Sequence, residues 1–181
     1  MKVRTTKIEG CLILEPLIFS DNRGFFFESF NQKTFNELIN QSITFVQDNQ
    51  SFSTKGVIRG LHAQAGEFAQ SKLVRVLYGK VIDVAVDIRE SSPTFGEHVA
   101  VELSHDNNLQ LFIPRGFLHG FAVLSESALF AYKCDNYYNK SAEFGVRFDD
   151  DSLGINWNIE KGDFFASEKD LVLPKFNEVF K

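Results

Sequence analysis

From end to end this chain is broken into short β-branched and aromatic runs separated by Gly, Pro, Asn, Asp and Ser, leaving room for strands and little for helices. Residues 11–14, 24–30, 43–47, 57–62, 72–77, 81–88, 97–103, 109–113, 121–124 and 128–134 each read as a strand. Within 81–88 the alternation puts Asp83 and Asp87 on one face. Only residues 33–39 read as a helix, with Asn31 as its cap. The final stretch, 157–181, has no strong period and is expected to pack over whatever the strands build. Many short strands with turn signals between them predict an all-β sandwich or jelly roll.

With 181 residues, no internal repeat and no linker-like stretch, the chain is expected to form a single domain, 1–181, with a substantial core. Hydrophobic residues at 44% and charged residues at 24% exclude a disordered chain. A net charge of −5 argues against a nucleic-acid partner, although a few arginines in one pocket suffice for a diphosphate. Residues 1–10 carry scattered charge and no apolar h-region, so no signal peptide is expected. No apolar run approaches the length of a membrane span. Cys11 and Cys134, far apart in the chain, are expected to be reduced thiols of a cytoplasmic protein. Most of the 20 phenylalanines must be core.

Two segments carry candidate chemistry. In Gly56-Val57-Ile58-Arg59-Gly60-Leu61-His62-Ala63-Gln64, strict alternation points Arg59 and His62 to opposite faces. Gly60 between them allows a bulge that would turn both toward one cavity. Taken alone, a strand histidine is more often structural. The second segment is Pro114-Arg115-Gly116-Phe117-Leu118-His119, whose Pro-x-Gly-x-x-His spacing resembles a short motif of the cupin barrels. Metal-binding cupins carry a second histidine two places after the first and a nearby glutamate. Here those places hold Gln64, and Phe68 and Ala69. Two histidines without a third strong ligand make a poor metal site, so no metal is expected.

The ordered set of motifs makes the resemblance specific. Asp21-x-Arg23-Gly24-x-Phe26-x-Glu28, Gln47-x-Asn49, Arg59-Gly60-Leu61-His62-x-Gln64, Gln70-x-Lys72-Leu73-Val74-Arg75-Val76 and Val84-Ala85-Val86-Asp87-Ile88-Arg89 are followed by Ile113-Pro114-x-Gly116-Phe117-x-His119-Gly120-Phe121, Tyr132-Lys133 and Ser167-Glu168-Lys169-Asp170. Together they resemble the dTDP-4-dehydrorhamnose 3,5-epimerase family over almost the whole chain. Ala63 departs from the tyrosine often found there. The resemblance implies an all-β, cupin-type jelly-roll barrel with a few short peripheral helices. It implies epimerisation of C3 and C5 of a dTDP-linked 4-keto-6-deoxyhexose, without any cofactor, in nucleotide-sugar and surface polysaccharide biosynthesis.

Inverting a carbon next to a ketone needs a base on one ring face and a proton donor on the other, with the enolate charge stabilised between them. By resemblance His62 is the base, Asp170 orients it, Tyr132 is the opposing acid, and Lys72 sits near the keto oxygen. Arg23 and Arg59 are forked donors suited to the diphosphate. Gln47 and Asn49 suit a pyrimidine edge, while Phe19, Phe26 and Tyr138 offer flat faces. Glu28 can accept from a hydroxyl, and His119 can contact the sugar. In the family the strand carrying residues similar to Arg23 and Glu28 reaches the neighbouring subunit's site, implying a homodimer. Competing readings are a single-carbon epimerase, a ring-ketone isomerase, a non-catalytic sugar-binding cupin and a metal-dependent cupin oxygenase. Lys72 as a solvated edge residue, Tyr132 as core and Arg23 as a turn residue with a local salt bridge are the bland alternatives for single positions.

Overall fold

The structure, a computed structural model, describes residues 1–160 and 162–180. Lys161 and Lys181, part of the stretch expected to pack over the strands, lie outside the described residues. The strands are β1 (Lys2–Thr5), β2 (Leu12–Glu15), β3 (Phe19–Asp21), β4 (Gly24–Phe26), β5 (Gln47–Thr54), β6 (Ile58–Gln64) and β7 (Lys72–Tyr78). They continue as β8 (Lys80–Asp87), β9 (His98–Ser104), β10 (Gln110–Ile113), β11 (Phe117–Val123), β12 (Ser127–Cys134) and β13 (Glu143–Gly145). One antiparallel sheet runs β1-β2-β10-β7-β12-β5, and a second runs β13-β6-β11-β8-β9. The hairpin β3-β4 stands apart from both. The expected all-β jelly roll of the cupin type is the fold observed.

Between the sheets lies an apolar filling of Val74, Val76, Leu111 and Phe130 from one side and Val81, Ala85, Val99 and Phe121 from the other. Burying a valine, leucine or phenylalanine side chain stabilises by about 1.5–3 kcal/mol. β8 is buried along both faces: Val81 and Ala85 face inward, while Ile82, Val84 and Val86 meet Phe148, Trp157 and Phe176 of the C-terminal region. That region therefore does cover the five-stranded sheet. Asp83 and Asp87 share the inward face, as the alternation required, and both are fully buried.

Helix α1 (Gln32–Ile39) forms where expected. The Asn31 side chain accepts from Thr34 N at 3.1 Å, and Asn40 ends the helix in the left-handed region. Its buried Phe35 and Ile39, one turn apart, pack on Leu14, Leu73 and Phe112 across the outer face of the six-stranded sheet. Two short helices follow late in the chain, α2 (Glu168–Leu171) and α3 (Phe176–Val179). Among the described residues no helix is long and apolar enough to cross a membrane. Cys11 and Cys134 are free and buried.

The largest departure from the sequence expectation is β5. Of the strand expected at 43–47 only the last residue is strand; Ile43 and Phe45 pack beneath α1, and β5 begins at Gln47. Its inward positions, Gln47, Asn49, Ser51 and Ser53, are polar: Asn49 and Ser51 line a cleft, while Gln47 and Ser53 flank them, Ser53 accepting from Arg59. β5 is an edge strand, paired with β12 alone, so the usual apolar alternation is missing. The strand expected at 24–30 stops at Phe26, and that expected at 121–124 begins earlier, at Phe117. β3 and β13, of three residues each, are too short to form recognisable runs, and β1 holds a single apolar residue, Val3.

Candidate active site

A cleft of about 580 Å³ opens at one end of the barrel, between the two sheets. Asn49, Arg59, His62, Lys72, His119, Tyr132 and Asp170 all line it. Seven sequence-predicted residues thus converge from β5, β6, β7, β11, β12 and α2.

The bulge expected at Gly60 is present. His119 pairs with His62 and Phe121 with Arg59, so β6 takes three steps where β11 takes two. The extra residue turns both Arg59 and His62 into the cleft. Gly60 has φ +127°, and a Cβ there would lie 2.5 Å from Gly120 Cα and 2.8 Å from His119 O. Only glycine fits that approach. Arg59 Nε donates to Ser53 Oγ at 3.0 Å, fixing the guanidinium on the β5 side of the cleft.

His62 Nε2 lies 2.7 Å from Asp170 Oδ1. The two are far apart in the chain and meet because the C-terminal strap docks on β6. Phe165 N donates to Gly56 O, and Ile58 N donates to Phe165 O, both at 2.8 Å. Ser167 then caps α2, its Oγ accepting from Asp170 N at 3.1 Å. Burial alone raises the Asp170 pKa, but hydrogen bonds from His62, Ser167 and the Gly60 backbone outweigh it and hold the carboxyl below its usual range. An ionised Asp170 accepts Nε2–H, which leaves Nδ1 of His62 with the lone pair.

On the facing sheet, Tyr132 and Lys72 sit on neighbouring strands, with Lys72 Nζ 6.0 Å from the Tyr132 ring centroid. Burial lowers the Lys72 pKa, while Cys134, Asp83 and Glu143 act in the opposite sense. Burial raises the Tyr132 pKa, so its phenol stays protonated near neutrality. Burial also pushes Cys134 up to about 11, leaving an inert thiol beside Lys72. His119 Nε2 lies 2.9 Å from Asp83 Oδ2, in a buried pair directly across the register from His62. Burial lowers the His119 pKa and raises that of Asp83, each countered by the other. Among the described residues no three His, Cys, Asp or Glu side chains cluster as metal ligands.

Other predicted residues stand off the cleft. Gln47 is one strand step out, accepting from Tyr138 N at 3.1 Å and donating to Asn49 Oδ1 at 3.0 Å. Tyr138 is exposed at the rim, its hydroxyl donating to Glu143 Oε2 at 2.9 Å. Phe19, Arg23 and Phe26 lie on the exposed β3-β4 hairpin, away from this chain's own cleft. There Arg23 forms the local salt bridge of a turn residue, 2.6 Å from Asp21 Oδ2. Glu28 accepts from Asn31 Nδ2 at 3.1 Å. Four residues were missed: Asp83, Glu143, Lys169 and Ser51. Asp83 was visible as a carboxylate between the apolar residues Ile82 and Val84 of β8. Glu143 and Lys169 are joined at 2.6 Å across the rim; Glu143 carries no pattern in the sequence, and Lys169 stands inside the Ser167–Asp170 motif without an assigned role. Ser51 lines the cleft with a buried Oγ that has no partner among the described residues.

A cupin barrel whose mouth sets an imidazole–carboxylate couple on one sheet against a phenol and an ammonium on the other defines an acid–base enzyme. The family model described as dTDP-4-dehydrorhamnose 3,5-epimerase matches residues 5–178. The enzyme of that name from Shigella flexneri is 53% identical, covering 97% of this chain and 96% of its own. The crystal structure of the Elizabethkingia anophelis enzyme superposes with a TM-score of 0.95 at 53% identity, covering 98% of this chain and 97% of that one. The Legionella pneumophila enzyme, solved in complex with dTDP-4-keto-L-rhamnose, gives 0.93 at 49% identity, with 97% and 93% covered. The chain belongs to the dTDP-4-dehydrorhamnose 3,5-epimerase family.

Proposed function

We propose that this chain epimerises C3 and C5 of dTDP-4-dehydro-6-deoxy-D-glucose, giving dTDP-4-dehydro-L-rhamnose for nucleotide-sugar and surface polysaccharide biosynthesis in the cytoplasm. One observation carries the mechanism: His62 and Tyr132 project from opposing sheets into one cleft. A sugar ring slotted between them meets the base on one face and the phenol on the other.

Nδ1 of His62 takes the proton from the carbon beside the ketone, and the C–H electron pair delocalises onto the C4 oxygen as an enolate. Asp170 orients the ring and stabilises the imidazolium. Lys72 faces the developing oxyanion, an interaction worth about 10²–10³ in rate. Tyr132 returns a proton to the opposite face of the same carbon, and solvent then reprotonates the phenolate and the imidazole sheds its proton. A second round inverts the other carbon. Arg59 binds the diphosphate, with Gln47 and Asn49 toward the pyrimidine edge, His119 on the sugar and Tyr138 as a flat face for the base. No cofactor takes part. Arg23, Glu28, Phe19 and Phe26 serve the site of a second copy in a homodimer, which fits a hairpin that leaves its own cleft empty of them.

The test is incubation with dTDP-4-keto-6-deoxyglucose in chelator-treated D₂O. Deuterium at both C3 and C5 of the inverted product is expected. Label at only one carbon would reduce the activity to single epimerisation, and no label at either would leave only sugar binding.

A further inference from the structure

We propose that Gln64 is a positioning residue: its buried amide holds the 136–139 loop in the shape that presents Tyr138 at the rim of the cleft. Gln64 sits on β6 just beyond His62 and is nine-tenths buried. Its Nε2 donates to Phe68 O at 3.2 Å and to Tyr137 O at 3.4 Å. Its Oε1 accepts from Asn139 N at 2.6 Å. The side chain thus grips the backbone on either side of Tyr138, while Gln47 Oε1 takes Tyr138 N itself.

The grip extends to the rim. Asn139 accepts from Ser141 N at 2.9 Å and opens the single turn at Lys140–Ala142. That turn delivers Glu143, which accepts from both the Tyr138 hydroxyl and Lys169. Glu143 also pairs with Gln64 in the β13–β6 register. A primary amide is the group this place requires, because it must donate twice on one side and accept on the other. A leucine removes all three bonds, and a glutamate keeps only the acceptor.

If Tyr138 serves as the nucleobase face, as proposed above, loosening this loop weakens nucleotide binding and leaves the proton-transfer groups in place. Gln64→Leu is expected to raise KM for the nucleotide sugar and Kd for dTDP by about ten-fold. The change in kcat should stay within about three-fold, and affinity for inorganic pyrophosphate should not change. In a Tyr138→Ala background the same substitution should add almost nothing, because the platform it positions is gone. A purely structural role would instead lower kcat with the folded fraction and act equally in both backgrounds. Should Gln64→Leu fail to fold, Gln64→Glu provides the same comparison with the acceptor retained. Unchanged dTDP affinity in the Gln64 variants, or full additivity with Tyr138→Ala, would overturn the assignment. If Tyr138→Ala itself bound dTDP normally, the reading of Tyr138 would fall first, a separable result.

Discussion

Deleting the His62 imidazole and deleting the Tyr132 hydroxyl should break the reaction at different steps. In Tyr132→Phe the base and Lys72 remain, so the enolate forms and is reprotonated from its original face. Deuterium should then wash into recovered substrate while inverted product falls by about 10²-fold or more. His62→Ala should show neither exchange nor inversion. Normal inversion by Tyr132→Phe would assign the acid role elsewhere. Lys72 supplies a pH signature. Burial lowers its pKa, so the ammonium is lost at a lower pH than in a free lysine, and with it the oxyanion support. The kcat profile should therefore bend downward on the alkaline side below the ordinary lysine range. Lys72→Arg, which stays charged, should extend the plateau to higher pH. An identical alkaline limb in both proteins would assign it to another group. At this scale the residue types were legible from the motifs, but Glu143 was not, and Asp83 was legible as a buried-face carboxylate without its pairing to His119, because both roles come from partners that distant segments bring beside them.

The bulge in β6 is the element on which the site depends. Gly60 and Gly24 share φ +127°, yet a Cβ at Gly24 meets nothing within 4 Å, whereas at Gly60 it collides with the β11 backbone. Both alanine variants carry the backbone strain, and only Gly60→Ala adds the collision. Gly60→Ala should cost about 2–4 kcal/mol more stability than Gly24→Ala, measured by denaturant unfolding. Equal losses would mean that β6 and β11 can separate without cost. The bulge was legible because a glycine interrupts two polar residues whose parity disagrees. β5 was not, because its inward face is polar. A strand that lines a cleft lacks the apolar alternation by which strands are recognised, so the site's own wall was the hardest element to see.

For the whole molecule, the homodimer proposal predicts complementation. His62→Ala spoils a subunit's own cleft, and Arg23→Ala spoils the cleft its hairpin serves. In a mixed dimer both lesions fall on one site and the other is intact. Random assortment should restore about a quarter of wild-type sites from two weak parents, assayed at substrate well below KM. Mixed dimers that form without any recovery would confine Arg23 to its local pair with Asp21. The sequence by itself determined the all-β class, the Asn31-capped helix, the cupin barrel and, through the ordered motifs, the family. These depend on local periodicity, turn chemistry and residue identity, which are written along the chain. Only the tertiary structure decided that Asp170 holds Nε2 of His62 and leaves Nδ1 free, that His62 faces Tyr132 from the opposing sheet, and that Gln64 grips the loop of Tyr138. Each joins segments distant along the chain, and their distance and orientation follow from how the two sheets and the C-terminal strap pack, not from spacing in sequence.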